Sequence, residues 1–136
     1  MTSGLLLFTK RRELRGPYQE LFARREVRKQ YTAIAPHRPI SPTTWRHRIH
    51  KVTGDVAATL VPGTPNATTH VTQISLIDAP LSPSLATTYS TPEPLASYLL
   101  EPVTGKTHQL RIQMCAAGAP ILGCLLYTSD ACRRAI

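Results

Sequence analysis

Twelve prolines and seven glycines are spread through the 136 residues, so no regular element can run far before a breaker interrupts it. Pro36, Pro39 and Pro42 mark one loop, Gly54, Pro62, Gly63, Pro65 and Asn66 a turn region, and Pro80 and Pro83 another loop. Between these breaks the apolar periodicity changes from segment to segment. Leu5-Leu6-Leu7-Phe8, bounded by Gly4 and by charge, reads as a short buried strand. Pro17 suits a first helical turn, and Tyr18, Leu21 and Phe22 recur at helical spacing, which predicts an amphipathic helix over 17–25. Residues 27–35, Trp45 to Val52 and His70 to Ile77 alternate as strands do, and Tyr98-Leu99-Leu100 opens a strand that ends near Pro102. Thr107 to Ala117 reads as a helix with Leu110, Met114 and Ala117 on one face and Gly118 as its C-terminal cap. Several strands with few, short helices predict an α+β fold with a mixed, largely antiparallel sheet. Aromatic residues are only 6% of the chain, so the core must rest on Leu, Ile, Val and Ala.

The charge is concentrated at one end. Residues 1–51 hold 12 Lys/Arg and 3 Glu, whereas residues 52–136 hold 4 Lys/Arg and 5 acids. A net charge of +8 carried almost entirely by the first part of the chain suits a polyanionic partner. No apolar run approaches the roughly 20 residues of a membrane span, and the start lacks the pattern of a signal peptide. Three cysteines, an odd number, fit a reducing compartment, so a cytoplasmic location is expected.

Several patterns fail on spacing. Gly105-Lys106-Thr107 resembles the end of a phosphate-binding P-loop, but that loop needs a glycine where Leu100 stands. Cys115, Cys124 and Cys132 form no close pair of the kind zinc requires, and they read as thiols. His47 and His50 are close but bring no carboxylate, so no metal is expected.

The informative stretch is 98–127. It combines a strand, a glycine turn and a polar helix start, Thr104-Gly105-Lys106-Thr107-His108-Gln109-Leu110-Arg111, followed by Gly118-Ala119-Pro120-Ile121-Leu122-Gly123. A helix start beside Lys106 and His108 suits a phosphate, and Arg111 one turn in suits either a carboxylate or a phosphate. This string resembles the third motif of the RluA-type RNA pseudouridine synthases. Val27-x-Lys29-x-Tyr31-x-Ala33 is similar to that family's Lys-x-Tyr strand, and Thr2-Ser3-Gly4-Leu5-Leu6-Leu7 to the tail of its His-Arg-Leu-Asp-x-x-Thr-Ser-Gly motif. The three segments stand in family order.

The resemblance implies a pseudouridine synthase-like catalytic domain, here partial, over 1–127, and isomerisation of uridine to pseudouridine in RNA without a cofactor or metal. The glycosidic bond breaks, the uracil turns and a bond forms through its C5. Ribosomal RNA is expected in preference to transfer RNA, with the protein a monomer and no membrane partner. By the same resemblance Tyr31 and Arg111 are the catalytic residues, Tyr31 stacking on the uracil and Arg111 pairing with a catalytic Asp. Leu110, Lys29, Lys106, Thr107, His108 and Gln109 would bind the substrate. The departures are specific. The family motif puts its Asp three residues ahead of Thr2, which falls before Met1, so the chain reads as a truncated form, inactive as written. Lys106 stands where Arg is usual, and Gln113 where His is common. Residues 128–136 form an atypical tail, and the stretch from about Gly123 onward resembles translated adapter read-through. The alternative function is a non-catalytic RNA-binding module that keeps the basic surface.

Overall fold

A computed structural model describes residues 3–55, 57–78, 81–89, 91 and 94–124. The atypical tail over 128–136 lies outside the described residues. A helical turn at Arg12–Leu14 leads into α1 (Arg15–Ala23). Then follow β1 (Tyr31–Pro36), β2 (Thr43–His47), β3 (Ile49–His50), β4 (Thr59–Leu60), β5 (Ala67–Leu76), α2 (Leu81–Thr88), β6 (Leu95–Pro102) and α3 (Gln109–Ala116).

Four strands form one antiparallel sheet in the order β1-β6-β5-β2, and β3 and β4 make a separate two-stranded hairpin. β6 and β5 are the two inner strands, and β6 carries most of the core: Ala96, Tyr98 and Leu100, which share one face, are fully buried, as is Leu95 at its start. Its partner β1 alternates in the same way. Ala33 and Ala35 of β1 point into the core while Thr32 and Ile34 face outward. Burying a side chain of the size of Leu100 contributes roughly 1.5–3 kcal/mol, and β6 holds several.

Helix α3 lies between the sheet and the hairpin. Met114 packs with Ala33, Ala35, Val71, Ala96, Tyr98 and Leu100 of the sheet, and Leu110 packs against the same cluster. Ile112 and Cys115 pack with Ile49, Ala58 and Ala67 on the hairpin side. A helix of 8 residues cannot persist alone, so this two-sided burial is what holds it. Its end is set locally. Ala119 N–H donates to Met114 O and Gly118 N–H to Cys115 O, with Gly118 at φ +74°, a Schellman closure that the capping glycine allows.

The structure departs from the sequence-based expectations in four places. Leu5 to Phe8 form no strand, and all four side chains are exposed; no strand among the described residues pairs with them to satisfy their backbone groups. Helix α1 forms, but Tyr18, Leu21 and Phe22 stay 39–48% exposed, because no core lies beneath them among the described residues. The predicted loop at Pro80 and Pro83 instead contains α2, which tolerates Pro83 because a first-turn residue needs no N–H partner. Cys115 is disulfide-bonded and not a thiol, while Cys124 is free.

Candidate nucleic-acid site

The site lies at the end of the sheet where β1 begins, β6 finishes and α3 starts. β1 pairs with β6 so that Tyr31 stands opposite Leu100. Tyr31 shares the parity of Ala33 and Ala35, so it emerges on the α3 side of the sheet, beyond the last buried position of its strand. Its ring remains 50% exposed. The chain leaves β6 at Pro102, turns through Thr104-Gly105-Lys106 and enters α3 after His108, which sits at φ +54°. That left-handed conformation is uncommon for a side-chain-bearing residue and re-aims the backbone into the helix.

Tyr31, Leu110 and Arg111 line one cleft of about 220 Å³, together with Lys29, Lys106, His108, Gln109, Pro102, Thr104 and Gly105. Lys29 Nζ donates to Thr104 O at 3.4 Å, tying the entry of β1 to the turn after β6. The lining carries three full cations, Lys29, Lys106 and Arg111, and no carboxylate. Among the described residues the Arg111 guanidinium makes no ion pair and no side-chain hydrogen bond, so it is free to face an anion. The volume lies below the roughly 300–1,000 Å³ of clefts for drug-sized ligands, which suits a ligand the size of one nucleobase.

Two expected residues take different positions. Thr107 is exposed on the turn and lies outside the lining, because the backbone there is already swinging into the helix. Gln109 borders the cleft but is only 4% exposed, and its amide is spent internally. Its Oε1 accepts from Thr104 Oγ1 at 2.7 Å and from Lys106 N–H at 3.0 Å. Its Nε2 donates to Thr68 O at 3.0 Å and to Thr69 Oγ1 at 2.9 Å. All four hydrogen-bonding positions of the amide are thus filled by protein.

Sequence reasoning missed the continuation of this network. Thr69 Oγ1 donates to Gln113 Oε1 at 2.6 Å, and Gln113 Nε2 lies 3.3 Å from His47 Nδ1. Burial pushes the His47 pKa below its ordinary value, which favours the neutral ring that can accept at Nδ1. The signal for part of this was present: two glutamines four residues apart on a short helix face the same way.

A family model described as RNA pseudouridylate synthase matches residues 1–116. The chain belongs to the RNA pseudouridylate synthase family. A Haemophilus influenzae protein described as an uncharacterized RNA pseudouridine synthase is 29% identical over 93% of this chain and 50% of its own length. The dual-specificity RNA pseudouridine synthase RluA of Escherichia coli K12 is 27% identical over 97% of this chain and 55% of its own. Among solved structures, human RNA pseudouridylate synthase domain containing 1 superposes with a TM-score of 0.67 at 25% identity, covering 91% of this chain and 50% of that one. The α+β fold is thus that of pseudouridylate synthase domains, of the RluA type. The chain spans about half the length of the curated relatives it matches.

Proposed function

We propose that the cleft between β1 and α3 is the uridine site of an RNA pseudouridine synthase. Its target is ribosomal RNA, and the protein acts as a monomer. One observation carries the reading: a tyrosine from the start of β1 and an arginine from the start of α3 line the same small cleft. An extruded uracil would enter against the exposed ring of Tyr31, with Leu110 packing on its other side. Flipping a base costs a few kcal/mol, and Lys29 and Lys106 offset that cost by holding the flanking phosphates. Tyr31 is then the group placed to help remove the proton at C5. Arg111 orients and keeps ionised the carboxylate that attacks, since a guanidinium beside a carboxyl lowers its pKa.

The chemistry needs that carboxylate, and the described lining of the cleft contains none. The same observation favours a second reading, in which the chain alone is a non-catalytic RNA-binding module. Both share the cleft and differ in turnover. The 136-residue chain by itself is expected to bind uridine-containing RNA without isomerising it. Nucleoside analysis of ribosomal RNA incubated with the pure chain tests this, and newly formed pseudouridine would contradict it.

Binding tests the site directly. Tyr31→Ala should weaken binding of a short single-stranded oligouridylate about tenfold, since stacking on an aromatic ring is worth roughly 1–3 kcal/mol per base. Tyr31→Phe, which keeps the ring, should bind as the parent does. Equal affinity of the alanine variant would remove Tyr31 from the site.

A further inference from the structure

The buried chain of amides and hydroxyls behind the cleft has a fixed sense. Lys106 N–H can only donate and Thr68 O can only accept, so the Gln109 amide has one possible orientation. Its second Nε2 proton then points at Thr69 Oγ1. The Thr69 hydroxyl must therefore give its own proton elsewhere, and it does so to Gln113 Oε1 in the shortest bond of the network, 2.6 Å. Thr69 and Gln113 are both fully buried, so neither can exchange its partner for water. Gln113 Oε1 thus keeps Thr69 an acceptor, and Thr69 keeps Gln109 clasped on the turn that carries Lys106.

Resting on the uridine reading of the cleft, we infer that Thr69 and Gln113 are positioning residues for that site. They touch no substrate. They act through Gln109, which holds Thr104 Oγ1 and Lys106 N–H and so fixes the turn that forms one wall of the cleft. Gln113 belongs to this device: its oxygen accepts from Thr69 while its nitrogen faces His47. A side chain carrying both an acceptor and a donor on one planar head is what the two neighbours require.

The test compares an oligouridylate with an oligomer of equal length carrying abasic sites. Thr69→Val keeps the shape and removes the hydroxyl. It should weaken binding of the oligouridylate about tenfold and that of the abasic oligomer less, through the loosened Lys106 alone. Thr69→Ser should restore the lost affinity. Unchanged binding of both oligomers by Thr69→Val, or equal loss of both, would overturn the inference. A parent chain that binds the two oligomers equally would instead defeat the uridine reading itself. Hydrogen exchange on the parent chain supplies a measurement independent of any variant's folding. The Lys106 amide and the Gln109 side-chain protons should exchange slowly, as clasped groups do, and rapid exchange of either would overturn the positioning role.

Discussion

Tyr98 holds the far end of the sheet by its hydroxyl, which donates to Pro36 O at 2.8 Å and accepts from Arg38 N–H at 2.9 Å. Burial raises its pKa, so it stays a phenol and keeps both bonds. Tyr98→Phe removes both of these hydrogen bonds and should cost about 1–3 kcal/mol in urea unfolding. His47 makes stability depend on pH. Its folded pKa lies below the ordinary 6.5, so the unfolded chain binds its proton first as the solution is acidified. Its contribution is complete above pH 6.5 and is lost as pH falls through that value toward the folded pKa. His47→Gln should flatten the midpoint of urea unfolding across this window. Glu101 acts at lower pH. Hydrogen bonding from Gln30, and then the Arg28 charge, hold its pKa below the usual 4.5, so its anchoring of the segment before β1 is present above that value and lost below it.

At the scale of elements, α3 carries the fold and the site together. Its C-terminal glycine closes the helix at φ +74°, where a side chain is strained. Gly118→Ala should destabilise the protein by about 1–2 kcal/mol, read as a lower Tm. The helix was legible in the sequence because Leu110, Met114 and the capping glycine combine period and punctuation, β1 and β5 were legible from their alternation, and the second half of β6 from the run at Tyr98-Leu99-Leu100, although the strand begins earlier, at Leu95. The short β4 was not, since two residues carry no period. Nor was α2, where proline spacing looks the same in a loop as in a first helical turn. The cleft lining was legible in part: Thr107, named from the motif, lies outside it, and Pro102, Thr104 and Gly105 line it without having been singled out. The support behind it was not legible: Thr69 and His47 reach Gln113 only because β5 and β2 pass under α3, a tertiary fact with no local signature.

For the whole molecule, charge and topology converge. The strongly basic first part of the chain supplies Lys29 and Tyr31, and the second part supplies Lys106, Leu110 and Arg111; antiparallel pairing of β1 with β6 brings them to one end of the sheet. Three cations at the cleft, each releasing a counterion from single-stranded RNA, predict a slope of about −2 when log affinity is plotted against log salt. A flat plot would mean that these cations do not meet phosphate. The most direct test is an amide chemical-shift titration of the labelled chain with an oligouridylate and with its abasic counterpart. A uridine seated between β1 and α3 predicts shifts at Tyr31, Leu110 and Arg111 that only the oligouridylate produces. The same shifts with both oligomers, or none at these three residues, would contradict it.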